Sequence, residues 1–175
     1  MEFPVVLYGA PVLRKKSFDI DRKYDFSGLS AGMMQTLKYN KGVGLAAPQV
    51  GLTKNLFIID TTPYGSEVDE VIEKTFINPE ILNYGEEKGY FQEGCLSIPG
   101  IFEDLKRPEK VKVRYRDLQF KWHEEILEGI TARIFQHEYD HLQGVLFIDK
   151  LNPIRKKMIK KKLNQIRKNS VKNLK

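Results

Sequence analysis

The chain has one cysteine, Cys95, among its 175 residues, so it can form no internal disulfide. That excludes a disulfide-stapled secreted scaffold and fits a reducing cytosol. No run approaches the ~20 apolar residues of a membrane-spanning helix. The amino end, Met1 to Gly9, lacks the basic start and long apolar segment of a secretory signal. There is no repeat, no low-complexity segment and no Gly-Lys-Ser/Thr of a phosphate loop. Histidine is scarce, with three residues in all. No glutamate follows Glu138, and no acid of either kind occurs in residues 152–175.

Two of the three histidines stand in His137-Glu138-Tyr139-Asp140-His141. On a helix, residues i and i+4 share a face, so both imidazoles can reach one divalent ion. Glu138 is placed to hold a water on that ion, the arrangement of a metal-activated hydrolase. Ile130, Ile134, His137, His141 and Leu142 follow the 3.6-residue period, and Gly144 stands where a left-handed helix end is expected. The bland alternative is an ordinary helix with two histidines four apart.

Such a site lacks a third protein ligand. The extended zinc-protease pattern fails at position 147, which is Phe. His123 is the remaining histidine and Asp149 the only acid after the motif, which leaves Cys95 as the best donor. A thiolate with two imidazoles suits zinc or ferrous iron. A lone cysteine is more often a small buried hydrophobe, and the incomplete HExxH reverses that preference.

Gly42 to Gly51, GVGLAAPQVG, superficially resembles a dinucleotide fingerprint. That motif needs a strand before it and a helix after it. Here an amphipathic helix with Leu29, Met33, Met34 and Leu37 precedes it, and Pro48 follows. A loop that brings backbone amides close to a substrate is the better reading.

Gly42 to Gln49, Glu93 to Ser97 and Gln136 to Gly144 stand as GxGLAAxQ, EGCLS and QHExDHLxG, in that order. Together they resemble the peptide deformylases, over nearly the whole chain from about Pro4 to Asp149. The resemblance implies that Cys95, His137 and His141 bind one divalent ion, Fe2+ first, with Zn2+, Ni2+ or Co2+ as alternatives. It implies a metal-bound water that attacks the formyl carbon, with Glu138 as general base and then acid. The Gln49 amide and the Leu96 N–H would stabilise the oxyanion. The reaction would remove the N-formyl group from the initiator methionine of newly made polypeptides and release formate. Val43 and Gly44 would contact the peptide backbone. Ile130, Arg133 and Ile134 would line the methionine pocket; for the two isoleucines, plain core packing is the equal alternative. Asp140 would orient an imidazole or simply be solvated. The implied compartment is the bacterial cytoplasm, with a mature organellar enzyme as the alternative. Members often carry an Arg shortly after SIPG, where this chain has Ile101-Phe102-Glu103, so the contacts beyond the methionine do not carry over.

With 41% hydrophobic content, one domain with a real core is expected. Leu56 to Ile59, Phe76 to Leu82, Lys110 to Tyr115 and a partner strand holding Trp122 read as strands. Strands packed around the central HExxH helix give an α+β fold, as in the family. Residues 1–151 form the catalytic part, and residues 152–175 a basic C-terminal helix of the same domain. Ile154, Met158, Ile159, Leu163 and Ile166 would be its docked stripe. This tail holds ten Lys/Arg, leaving 19 against 23 Asp/Glu in the rest, so the net +6 belongs to it. It is a solvated basic face or a surface attracted to ribosomal RNA. A metal endopeptidase and a basic RNA-binding protein with a structural metal are the competing classes. The first lacks its downstream ligand; the second leaves Glu138 and Gln49 without purpose.

Overall fold

The computed structural model describes residues 2–172. The last three residues of the expected C-terminal helix, 173–175, lie outside the described residues, as does Met1. The chain is a mixed helix-and-sheet fold. A five-stranded antiparallel sheet runs in the order β1-β2-β3-β6-β7, and β4 and β5 form a separate two-stranded sheet. The strands are β1 (Gly44–Ala46), β2 (Leu56–Asp60), β3 (Glu73–Tyr84), β4 (Lys88–Cys95), β5 (Ile98–Pro108), β6 (Lys110–Arg116) and β7 (Trp122–Glu128).

Helix α1 (Phe26–Tyr39) starts where the Asp25 side chain accepts from the Gly28 N–H at 2.9 Å. That satisfies one of the four orphan donors of a first turn. Its Leu29, Met33 and Leu37 pack with Leu45, Leu56, Ile58 and Ile77 on one face of the sheet. Helix α2 (Gly129–Leu142) covers the opposite face. There Phe135 meets Phe57 and Phe76 edge-on, with ring centroids 4.9 and 5.1 Å apart. Each such pair adds ~0.5–1.5 kcal/mol beyond its buried area. All five residues of β2 are buried because successive side chains point to opposite faces and both faces are covered. Gly144 ends the α2 turn at φ 73°. A Cβ there would meet the Arg14 carbonyl oxygen at 2.6 Å, so both conformation and space require glycine.

Strand β3 runs through Pro79, which can donate no ladder hydrogen bond. The register with β6 shifts between Ile77 and Glu80, and Asn78 adopts φ 49°. The irregularity is held by Asn78, which accepts from the Ile20 N–H at 2.8 Å and donates to the Ile20 carbonyl at 3.0 Å.

Helix α3 (Pro153–Lys172) begins at Asn152, whose side chain accepts from Arg155 N–H at 2.9 Å. Ile159, Leu163 and Ile166 pack against Ile98, Ile101, Leu105 and Phe147. The buried stripe is narrower than the sequence suggests, since Ile154 and Met158 are 73% and 64% exposed. Arg155 takes the first inward position instead and binds the buried Glu103 through two contacts of 2.8 Å. Among the described residues, no helix is long and apolar enough to cross a membrane.

Candidate metal centre

Cys95 ends β4, and the turn Leu96-Ser97 returns the chain into β5. His137 and His141 lie one turn apart on α2. The structure brings the three together: their donor atoms all lie within 4.8 Å of one another. The Cys95 sulfur is 3.3 Å from His141 Nε2. Tetrahedral zinc or iron sites take this mix of soft sulfur and imidazole nitrogen. His123 pairs with Asp117 at 2.6 Å on the exposed end of β7, and Asp149 pairs with Arg14, so neither joins the cluster.

The cluster rests on buried charges that the motifs alone do not reveal. His137 Nδ1 donates to Glu93 Oε2 at 2.9 Å; burial disfavours its charge, but its hydrogen bonds to Cys95 and Glu93 raise it well above an ordinary histidine, so a metal bound at Nε2 would displace the proton there. Glu93 also accepts from Arg107 at 2.6 and 3.0 Å and from Arg133 at 3.2 Å. Burial alone would raise the Glu93 carboxyl; the hydrogen bonds from His137 and Arg107 outweigh it and hold it well below the usual range. Burial and the neighbouring His137 push His141 well below an ordinary histidine, toward the neutral form a metal ligand needs. Asp140 touches no imidazole in this arrangement; it accepts from Arg107 at 2.7 Å and lies 3.3 Å from Lys150. It therefore acts on His137 only through Arg107 and Glu93. Glu93 was findable as the first residue of the EGCLS stretch, although the register shift between Glu93 and Cys95 breaks simple strand alternation there. Arg107 carried no local signal.

Arg107→Leu is expected to lower unfolding free energy by about 3 kcal/mol, the low end for breaking a buried ion pair, because Arg133 still faces Glu93. Chemical denaturation measures it, and a change under about 1 kcal/mol would reject the network as a structural support.

Glu138 is buried, and its Oε2 has no hydrogen-bond partner among the described residues. Burial pushes its pKa up to about 7, with Glu93 adding to the rise and His137 opposing it. A neighbouring divalent cation would draw that value down. Gly44 makes room for this carboxylate: a Cβ at position 44 would collide with Glu138 Oε1, and would meet Ile134 Cγ2 at 2.8 Å. The Gln49 amide is clamped. Its oxygen accepts from Ala46 N–H at 2.8 Å, and its nitrogen donates to Ser97 Oγ at 3.3 Å and to the Cys95 sulfur at 3.4 Å.

These groups open into a cavity of about 560 Å³. Val43, Gly44, Leu96, Arg133 and Ile134 line it, as do Tyr64 and Phe91, which the sequence did not single out, and Phe102, from the stretch that stands where family members often carry an Arg. Ile130 lies outside it, in an adjoining groove with Gly89, Tyr90 and Phe91. One helical turn separates Ile130 from Ile134, and the wall between the two spaces is Phe91 and Arg133, which line both. Arg133 is no free stem, because its guanidinium donates to Gly89 O at 2.7 Å and Leu105 O at 3.0 Å.

A thiol, an imidazole and an unpartnered buried carboxylate at one cavity, with a second imidazole behind them, are the groups of a metal-dependent hydrolase. The chain belongs to the polypeptide deformylase family, whose model matches residues 3–157. It is 46% identical to a peptide deformylase of Cytophaga hutchinsonii over 169 residues, covering 96% of this chain and 92% of that one. With a peptide deformylase of Thermotoga petrophila it shares 41% over 165 residues, covering 94% and 96%. A plant peptide deformylase crystal structure superposes with a TM-score of 0.89 at 36% identity, covering 98% and 92% of the two chains. The Plasmodium falciparum peptide deformylase gives 0.86 at 38%, covering 95% and 96%. The chain is accordingly an enzyme of the hydrolase class, and its family removes N-formyl groups from nascent peptides in a metal-dependent reaction.

Proposed function

We propose that this chain hydrolyses the N-formyl group from the initiator methionine of new polypeptides, with Cys95, His137 and His141 as the metal ligands. The observation that carries this reading is the meeting of three donor atoms within 4.8 Å beside a buried, unpartnered Glu138. When bound, a divalent ion lowers the pKa of a water from about 15.7 to about 7. Glu138 takes the proton from the attacking water. As the water oxygen bonds to the formyl carbon, Gln49 turns the N–H that rests 3.4 Å from the Cys95 sulfur to the developing oxyanion, beside the Leu96 N–H. The C–N bond breaks, Glu138 returns the proton to the leaving amine, and formate departs. Val43 and Gly44 carry the peptide backbone past the site. The methionine side chain enters between Ile134, Phe91 and the stem of Arg133.

The test is incubation with a formyl-methionine peptide, reading formate and free amine. Release of neither, by protein holding stoichiometric metal, rejects the reading. The native ion in this proposal is ferrous iron, and a thiolate ligand beside it gives air a route to oxidise both. Protein purified without oxygen should then lose activity in air; stable activity with zinc as the sole metal contradicts iron. Helix α3 is taken as part of the same domain as the strands it packs on, and its basic face is the proposed ribosome contact. Co-sedimentation unaffected by rising salt would argue against that contact.

Gln49→Leu is expected to lower kcat by about 10²–10³-fold, the usual effect of losing one oxyanion donor. Metal content should hold. The substitution also strips the Ala46 N–H of its acceptor, so a stability loss of about 1–3 kcal/mol accompanies it. A change confined to KM would make Gln49 a ground-state binder instead.

A further inference from the structure

Strand β7 (Trp122–Glu128) ends the five-stranded sheet, with β6 on one side and, among the described residues, no strand on the other. The ladder defines what that free edge offers. At its two ends, Asp117 N–H donates to the Lys121 carbonyl and Gly129 N–H to the Glu109 carbonyl. Hydrogen-bonded pairs alternate along an antiparallel ladder, so the odd-numbered residues of β7 face β6. The N–H and C=O groups of Trp122, Glu124 and Ile126 therefore point away from the sheet. Among the described residues, no backbone hydrogen bond from outside the sheet reaches them. Such an open row is a template for one more strand.

A second copy of β7 is a poor occupant. Each two-fold register in which most of the strand overlaps sets carboxylate against carboxylate: Glu125 on itself, Glu124 on itself, or Glu124 on Glu128. Like charges directly opposite destabilise a strand pair. The surroundings of the edge favour a cation instead. Along β7 and the start of α2 runs a groove of about 560 Å³, walled on its other side by residues 67–73. In it Glu67, Asp69 and Glu70 have no ion-pair partner among the described residues, and its one lysine, Lys74, is held by Glu125 at 2.8 Å. The opposite face of β7 is apolar at Trp122 and Ile126, which are 45% and 63% exposed. Side chains of an added strand alternate between two such faces.

We propose that the free edge of β7 docks an extended segment of a partner protein in which Lys or Arg alternates with apolar residues, the cations entering the acidic groove and the apolar side chains lying beside Trp122 and Ile126. The contact is independent of the deformylation reading. Calorimetry on the full chain tests it with acetyl-Lys-Val-Lys-Val-Lys-Val-Lys-amide and the same peptide with Glu for Lys. At low salt the lysine peptide should bind at least about tenfold more tightly than the glutamate peptide, and rising salt should erode the difference. Proline is tolerated on an edge strand where its missing N–H would face solvent. Ile126→Pro should therefore fold, as its melting temperature reports, yet bind the lysine peptide at least about tenfold more weakly, because an outward donor is gone. The triple variant Glu67→Lys, Asp69→Lys and Glu70→Lys leaves the strand intact and should reverse the preference between the two peptides. Equal binding of both peptides by the wild type, or a lysine preference that survives the triple variant, overturns the proposal. So does undiminished binding by folded Ile126→Pro. A wild-type dimer that Ile126→Pro dissolves would make a second copy the occupant and overturn it as well.

Discussion

Glu138→Gln is expected to fold, keep its metal and lose about 10²–10⁴-fold in kcat toward a formyl-methionine peptide, the range a positioned acid–base group supplies. The two side chains have nearly the same shape, so the substitution opens no cavity beside Ile134 and Gly44. In the metal-free protein it should not cost stability either. Burial raises the folded-state pKa of this carboxyl to about 7, so the folded protein holds its proton more tightly than the unfolded chain does. For a raised carboxyl the linkage runs against stability: the penalty is absent below the unfolded value and grows as pH rises through about 4.5 to 7. The neutral amide removes that penalty. What the variant loses is the ability to accept and return a proton. Near-wild-type turnover would sink the assignment, and so would loss of metal in parallel with activity, because Glu138 would then be a ligand.

The ease of reading this site from sequence has a physical basis. His137, Glu138 and His141 fall within one helical turn, where spacing alone fixes which side chains share a face. The strands were visible wherever one residue pattern ran without interruption, as in Lys110–Arg116. Of the hairpin of β4 and β5 only Gln92 to Gly100 reads as a strand running into a turn, because Gly89, Gly94, Pro99 and Gly100 break its alternation, yet this hairpin supplies Cys95, Glu93, Arg107 and Phe102. Long-range pairing defeats local reading in the same way. Arg107 lies 14 residues from Glu93 and 33 from Asp140, and no periodicity links them. Ile130 sits outside the cavity for a different reason. It has the right helical phase for the cavity, but Phe91 from β4 stands between, and a helix pattern carries no information about its neighbours. Ile154 and Met158 show the converse, since an ion pair to a buried Glu103 took the inward position that hydrophobicity assigned to them.

Cys95→Ser should separate binding from proton transfer most sharply. The hydroxyl is nearly the same size as the thiol, and Cys95 is only partly buried, so the hairpin turn should persist. The donor, however, changes from a group that ionises to a soft thiolate into a neutral, hard oxygen. Loss of a partner one shell out from a metal costs about 10–100-fold in affinity. Loss of a direct anionic ligand should exceed that, so the variant is expected to bind its ion at least about 10²-fold more weakly and to be isolated with sub-stoichiometric metal. Activity should fall in the same proportion. His137 stays oriented by Glu93, and Gln49 keeps its contacts to Ala46 and Ser97, while the contacts of His141 and Gln49 to the sulfur are the ones the substitution alters. The comparison with Glu138→Gln then assigns the roles: one variant inactive with metal, the other inactive for want of it. Tight, stoichiometric metal in Cys95→Ser would mean that the third ligand comes from elsewhere and that Cys95 is a packed thiol beside a histidine pair.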